Sequence, residues 1–304
     1  MTTGIASKPP GEATRGRRLD PRRGTFWALS IPSWLVVSLL LVGPLALMVA
    51  FSFRPDMRGA LLAPFEPSLR QFEQIAESGA YLRLLGTSAL MALAVATIAT
   101  LAAYPVAYFL VFRAGRRAAL YLVLLLVPFW TSYVLRVAAW KVMLGSDGVI
   151  NTALLGLGVI GEPLDALLYN RTAVIVTLVY VWIPFASLPI LAALGRIDIR
   201  LHEAAADLYA SPFEQFRRVT LPLSLPGIAA AFLMVFIPTV GEYVTPLLVG
   251  GTGGSMYGNT IYSFFSRAAN WPLGSALSTV MLLVTVGLVL VGLRIVRPRR
   301  LLGT

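Results

Sequence analysis

Long apolar runs separated by short polar segments dominate this chain and predict an all-α membrane protein. A membrane-spanning helix needs about 20 largely uncharged residues, and six runs of that kind follow one another along the sequence. The predicted spans are residues 27–53, 87–112, 118–144, 172–194, 225–249 and 275–296. Charged residues interrupt two of them, Arg136 and Lys141 in the third and Glu242 in the fifth.

The longest polar interruption in the C-terminal half covers residues 197–222 and predicts two short helices. The first helix carries apolar residues at the i, i+3, i+4, i+7 spacing of an amphipathic helix, namely Leu201, Ala204, Ala205 and Leu208. The second opens with Ser211-Pro212-Phe213-Glu214, a capping box with proline at the first helical position. Because proline disfavours a helix interior, we expect Pro222 and Pro226 to end this helix before the next span.

Composition agrees with a membrane protein and charge sets its orientation. The chain has 304 residues, of which 57% are hydrophobic and 13% are charged, about half the charged share of soluble domains. The net charge of +11 would ordinarily suggest nucleic-acid binding. Here 17 of the 25 basic residues fall in the segments that face the same side as both termini, and six face the other side. Basic residues accumulate in cytoplasmic segments, so we expect both termini and the loop at 197–222 to be cytoplasmic, and no nucleic-acid partner.

Several kinds of chemistry are excluded. The chain has no cysteine and its one histidine is His202, which leaves no metal cluster or catalytic triad. The G-x-G-x-x-G string at residues 156–161 is not expected to bind a dinucleotide, because it lies in an external connection rather than between a strand and a helix. The glycine-rich run at 250–254 lacks the lysine of a phosphate-binding loop. We therefore predict no cofactor in this chain and no enzymatic activity.

The first 24 residues are rich in proline, glycine and arginine, which predicts a disordered basic cytoplasmic tail. Residues 25–304 are predicted to form the transmembrane domain.

The loop at 197–222 resembles the EAA loop of type I ABC importer permeases, the membrane subunits of binding-protein-dependent importers. The match consists of Glu203, Ala204, Ala205, Val219, Leu221, Pro222 and Gly227. The resemblance implies that the loop couples to a separate ATPase, with Leu208 and Tyr209 among the coupling residues. Tyr209 replaces the family's glycine, so we expect it in or just after the first helix rather than in a left-handed turn.

A second set of residues is similar to the spermidine/putrescine-type permeases, specifically the first of their two paired membrane subunits. The set comprises Pro128-Phe129-Trp130-Thr131-Ser132-Tyr133 with Arg136 and Trp140, then residues 241–251 and 271–276. The resemblance implies an inner-membrane, multi-pass subunit of an ATP-driven importer that forms half of the translocation pathway. It also implies a homologous second permease, an ABC ATPase dimer that binds ATP and Mg²⁺, and a periplasmic substrate-binding protein. The solute would be a polyamine, with an opine, another amine or an organic anion as alternatives.

Glu242 is the strongest candidate for the pathway. It lies between Pro238 and Pro246 beside Gly241, which predicts a broken helix whose free backbone groups need protein or water around them. An intramembrane carboxylate with Tyr243 could bind a cationic solute by charge pairing and cation–π contact. The alternative is a structural carboxylate bonded to Tyr243, Thr245 or a neighbouring arginine.

Tyr133, Arg136 and Trp140 lie one turn apart on the third predicted span and are further pathway candidates. The alternative for Arg136 is that its side chain extends outward to the headgroups.

Two other functions stay open. A secondary transporter would normally have more spans, internal repeats and ionisable residues near the bilayer midplane. A membrane-embedded enzyme would need a nucleophile or acid–base pair, which we do not find in the sequence.

Overall fold

The computed structural model describes residues 21–55 and 66–296, and within them every regular element is helical. The α-helices are α1 Pro21–Ser52, α2 Arg70–Glu77, α3 Gly79–Phe112, α4 Ala118–Leu126, α5 Tyr133–Leu144, α6 Val149–Gly156, α7 Arg171–Leu194, α8 Arg200–Asp207, α9 Pro212–Gln215, α10 Leu221–Val240, α11 Tyr257–Ser266 and α12 Trp271–Val296. The predicted tail lies largely outside the described residues. Its last four residues belong to α1, which begins at Pro21.

Among the described residues, five helical segments are long and apolar enough to cross a membrane. They are Ser30–Ser52, Gly79–Phe112, Arg171–Leu194, Pro212–Val240 and Trp271–Arg294. A sixth crossing is formed if the bent pair Gly115–Trp130 and Tyr133–Gly156 counts as one span. With the bent pair counted in this way, the number of spans equals the six that the hydrophobic pattern predicts.

The third span is not the continuous helix that we predicted. Its two halves meet at an angle of 88°. Pro128 enters a short 3₁₀ turn that ends α4, and Thr131 is extended, with φ −88° and ψ 152°. The Thr131 hydroxyl donates to the Pro128 carbonyl at 2.7 Å, so a side chain satisfies an acceptor that helical pairing would otherwise use. Apolar composition alone could not reveal this break, since the residues on both sides of it are mostly apolar.

The contacts divide the chain into two compact units, one ending at Met48 and one beginning at Val49. The first unit contains most of α1, whose described side chains are largely exposed. The second unit contains all the remaining helices.

The core of the second unit is the packing of α3, α7 and α10. Small side chains line the buried face of α3: Ala92, Ala96, Ala99, Ala103 and Ala107. Small residues allow membrane helices to approach closely. Gly227 does the same on α10, because a Cβ there would lie 2.7 Å from the carbonyl oxygen of Pro189 on α7.

The prediction that Pro222 and Pro226 end the loop's second helix is wrong. The helix that begins at Pro212 continues through a π-helical turn, Phe216–Thr220, into α10. In that turn the Leu221 amide donates to the carbonyl of Phe216, five residues earlier. The widened turn changes the pairing just where Pro222 could not have donated to the carbonyl four residues before it.

Candidate functional site

The loop at 197–222 folds as the two short helices that the sequence predicts, α8 and α9. The capping box at the start of α9 is present. The Glu214 amide donates to the Ser211 hydroxyl at 3.3 Å, and the Ser211 amide donates to the Glu214 carboxylate at 3.0 Å. Gln215 then donates from Nε2 to the Ala210 carbonyl at 3.0 Å. These bonds hold the start of α9 against the end of the preceding turn.

Four large apolar side chains of the loop are exposed. Leu208 is 82% exposed, Tyr209 is 98% exposed and Phe213 is 69% exposed, while Leu201 is also exposed. An apolar stripe normally faces the protein core, but here these side chains have no such contact among the described residues. The sequence pattern did not identify Phe213; its position between a proline and the capping glutamate was the available signal.

The remaining coupling candidates divide between the two faces of α8. Glu203, in the first turn of α8, and Ala204 are exposed, whereas Ala205 is half-buried. A carboxylate near a helix N-terminus interacts favourably with the helix dipole. Pro222 lies within α10 and is exposed.

The prediction for Tyr209 is wrong, because this residue has φ +58° and therefore lies in the left-handed region. It follows α8 directly and completes a Schellman motif. The Tyr209 amide donates to the Ala206 carbonyl at 2.8 Å, and the Ala210 amide donates to the Ala205 carbonyl at 3.0 Å. These two bonds satisfy carbonyls at the helix end. The pairing dictates the turn even though the residue is tyrosine rather than glycine.

The fifth span is broken at Glu242, as predicted. Helix α10 ends at Val240, and the chain restarts in a helical segment that includes the π-helical turn Pro246–Gly250. One carboxylate oxygen of Glu242, Oε1, accepts from the amides of Tyr243, Val244 and Thr245 at 3.1, 2.8 and 3.2 Å. Glu242 therefore caps the restarted helix with its own side chain.

Tyr133 joins the two broken spans. Its hydroxyl lies 2.6 Å from the Thr245 hydroxyl and interacts electrostatically with Glu242. Three predicted candidates, Tyr133, Arg136 and Glu242, are thus brought to one place. Thr245, named above as a possible partner of Glu242, is a buried member of this group and donates its amide to the carboxylate. Its contact with Tyr133 is not predicted by the sequence.

Arg136 does not extend outward. Its guanidinium lies over the Phe129 ring at 4.5 Å and near the Tyr133 ring at 5.9 Å. Its Nε and Nη1 atoms are buried, without a hydrogen-bond partner among the residues that the structure describes. Phe129 packs in turn on Phe185 of α7, with ring centroids 4.2 Å apart. The arginine therefore stacks across the break in the third span, between its two halves.

The side chains of Trp140 and Tyr243 make their contacts elsewhere. Trp140 packs on Tyr180 of α7 at 5.3 Å. The Tyr243 ring stacks on Tyr262 of α11 at 4.9 Å, and the Tyr243 carbonyl accepts from the Asn259 side chain at 2.9 Å. Tyr262 and Asn259 line an open cleft of about 480 Å³. Polar or aromatic side chains around it include Tyr81, Ser255, Asn259, Tyr262, Ser263 and Arg267.

The two glycine-rich strings are turns. The G-x-G-x-x-G string begins at the end of α6 and contains Gly158 with φ +68°. The run at 250–254 is held to the start of α7, because the Tyr169 amide donates to the Val249 carbonyl at 2.9 Å and Arg171 donates to the Gly253 carbonyl at 3.1 Å. Both strings thus have structural explanations.

Comparison with known proteins identifies the family to which the chain belongs. The model of the family "Binding-protein-dependent transport system inner membrane component" matches residues 22–300. The chain belongs to this family. It is 36% identical over 246 residues to the spermidine/putrescine transport system permease protein PotB of Haemophilus influenzae, covering 81% of this chain and 84% of that one. The match to PotB of Escherichia coli is 35% over 263 residues, covering 86% and 93%.

The solved structures agree on the fold of this permease. A bacterial ABC transporter involved in the import of the acidic polysaccharide alginate superposes with a TM-score of 0.72 and 16% identity, covering 92% of this chain and 97% of that one. At this identity the likeness shows the fold alone, a type I ABC importer permease.

The permease is accordingly a multi-pass inner-membrane subunit of an ABC importer and not an enzyme, since its relatives are permease subunits. The chemical groups described above therefore bind, orient or move, and they perform no covalent step.

Proposed function

We propose that this permease is one of two membrane subunits of an ATP-driven polyamine importer. The observation that carries the proposal is the similarity to two spermidine/putrescine permeases over more than four fifths of each chain. The two subunits would enclose one pathway between them. A separate ATPase dimer would bind ATP and Mg²⁺, and a periplasmic binding protein would deliver the solute.

The ATPase docks, in this proposal, on the exposed apolar surface of the loop, which we define as Leu201, Leu208, Tyr209 and Phe213. Exposed apolar patches on a protein mark interaction sites. These side chains protrude from two short helices that are held by the capping box and the Schellman motif. Closure of the ATPase dimer would move this surface and, with it, the spans to which the loop is joined.

The translocation pathway follows, in this proposal, the breaks in the third and fifth spans. Irregular backbone at membrane depth is tolerated where protein or a water-filled cavity surrounds it. Glu242 has a structural role at the break in the fifth span, because its Oε1 atom accepts hydrogen bonds from three backbone amides. Its negative charge would also favour a cation in the pathway, beside the positive charge of Arg136, which would keep the cation from binding too tightly.

Uptake of labelled spermidine and putrescine tests this proposal. The permease would be expressed with its partner subunits in a bacterial strain that lacks polyamine uptake. We expect saturable, ATP-dependent uptake that unlabelled polyamines suppress. Suppression by an opine or an organic anion instead would overturn the polyamine assignment, and uptake that persists without the ATPase subunit would overturn the importer mechanism.

The same assay separates the two tasks of Glu242. Glu242→Gln keeps an oxygen that accepts the three amides but removes the charge, whereas Glu242→Ala removes both. We expect Glu242→Gln to assemble normally and to lower polyamine uptake. Glu242→Ala should also reduce the yield of purified complex, since buried backbone donors left without acceptors cost about 1–3 kcal/mol each. Normal uptake by Glu242→Gln would show that the charge plays no part in transport.

A further inference from the structure

His202 is the one histidine of the chain. It is half-buried, unlike Leu201 and Leu208 of the exposed apolar surface. Its Nε2 atom lies 3.0 Å from the hydroxyl oxygen of Thr220. Its ring meets the Phe112 ring edge-on, with centroids 5.4 Å apart. A single side chain of α8 thus contacts both the end of α3 and the helix that leads into α10.

The hydrogen bond to Thr220 is the polar contact that the structure gives to the His202 ring. Either atom of the pair can donate, depending on which ring nitrogen carries the proton. The other nitrogen, Nδ1, is buried, without a hydrogen-bond partner among the described residues. The bond therefore links the loop to the membrane helix with either assignment of the proton.

The acceptor lies at a special point of that helix. Thr220 is 1% exposed and is the last residue of the π-helical turn Phe216–Thr220. Turns of this type interrupt regular helical pairing and occur frequently at functional sites. The first residue of the turn, Phe216, packs against Tyr104 and Tyr108 of α3, with ring centroids 5.9 and 6.1 Å apart. The π-helical turn is consequently held between α3 on one side and His202 of α8 on the other.

We propose that His202 is a positioning residue that transmits movement of α8 to the π-helical turn, and through it to α10. The proposal rests on the docking of the loop to an ATPase. The covalent link from α8 to α10 runs through the turn at Tyr209 and through α9, whose backbone rotations could absorb a displacement. The hydrogen bond to Thr220 bypasses that link. Without it α8 can follow the ATPase while α10 stays behind, so ATP is consumed without transport.

The test measures ATP hydrolysed per solute imported by the complete complex in proteoliposomes. His202→Phe keeps the ring against Phe112 and removes the hydrogen-bonding nitrogen, and Thr220→Val keeps the shape of the side chain and removes the hydroxyl. We expect each variant to assemble and to raise the ratio about fivefold or more, the scale of one hydrogen bond or a modest coupling energy. Since both remove the same bond, the double variant should be no worse than the poorer single variant. Thr220→Ser, which keeps the hydroxyl, should stay within about twofold of wild type.

Tyr104→Phe is the matched control. Tyr104 makes a hydrogen bond of 3.0 Å to Ser224, which joins α3 to α10 without involving α8. We expect this variant to leave the ratio unchanged. A similar rise in Tyr104→Phe would show that general loosening of α3 and α10 is responsible, and would overturn the proposal. So would wild-type ratios in His202→Phe, or additive effects in the double variant.

The test still decides if one variant fails to assemble or if the imported solute is not a polyamine. If His202→Phe fails to assemble, Thr220→Val alone decides, and a wild-type ratio there overturns the proposal. The ratio is defined for whatever solute the wild-type complex imports. Failure to import spermidine would therefore count against the polyamine assignment, while the His202 comparison would proceed with the solute that is imported.

Discussion

At the scale of single residues, backbone hydrogen bonding at the end of α8 determines the conformation of Tyr209 more than its side-chain type does. Tyr209 adopts the left-handed conformation because the Ala206 and Ala205 carbonyls at the end of α8 are paired by the next two amides. For an L-residue this conformation costs about 1–2 kcal/mol, a cost that glycine avoids. The ring is almost fully exposed, so no contact within the described chain offsets the cost. A tyrosine in this place is explained if its ring contacts a partner.

Substitution of Tyr209 separates strain from contact. Tyr209→Gly removes both the strain and the ring, and Tyr209→Ala removes only the ring. We expect Tyr209→Gly to raise the thermal unfolding temperature of the isolated permease relative to Tyr209→Ala, because only glycine relieves the positive φ. Both variants should bind the ATPase more weakly if the ring is a contact. Equal unfolding temperatures would contradict the left-handed geometry, and wild-type ATPase binding by both variants would contradict the contact.

At the scale of helices, the sequence predicts where a helix lies better than whether it continues without a break. Helix-period patterns and capping residues identified α8 and α9, since their signals are local. The predictions for Pro222 and for the third span were wrong for the same reason. Whether a helix stops depends on which groups donate to the carbonyls left unpaired at its end. At Pro222 a π-helical turn changes the pairing, and after the first half of the third span the Thr131 hydroxyl donates to the Pro128 carbonyl. Local patterns also could not predict the hydroxyl contacts of His202 and Thr245, whose partners lie 18 and 112 residues away in the chain.

Substitution of Glu203, the exposed glutamate in the first turn of α8, tests whether the loop couples to the ATPase. Glu203→Lys reverses a charge in the first turn of α8 on the side that faces solvent. We expect normal membrane insertion, but a loss of ATPase stimulation by the solute-loaded binding protein and a fall in uptake of about tenfold, the middle of the usual range of coupling energies.

Glu73→Lys is the matched control, because Glu73 is also exposed in the first turn of an eight-residue helix, α2, outside the loop. It should keep wild-type stimulation. Normal stimulation in Glu203→Lys, or an equal loss in Glu73→Lys, would contradict the assignment of the loop as the coupling surface.

At the scale of the whole molecule, fold and orientation rest on different physics. The fold follows from burial of apolar and small residues between α3, α7 and α10, and it agrees with the solved importer. The orientation is a prediction from the asymmetry of basic residues, which acts during insertion and leaves no trace in internal packing. Everything proposed for the loop requires that it face the cytoplasm, where an ATPase has access to ATP.

The absence of cysteine from the sequence makes this orientation directly measurable. Leu157 and Leu208 are leucines of similar exposure, 76% and 82%, on connections that the charge pattern assigns to opposite sides. In intact cells whose outer membrane has been permeabilised, a membrane-impermeant maleimide should label Leu157→Cys and leave Leu208→Cys unlabelled. Lysis should make both react, which controls for the reactivity of each thiol. The reverse pattern would place the loop outside, where no ATPase could drive it, and would overturn both the docking surface and the role of His202. Labelling of both before lysis would show that one of these connections is not confined to a single side.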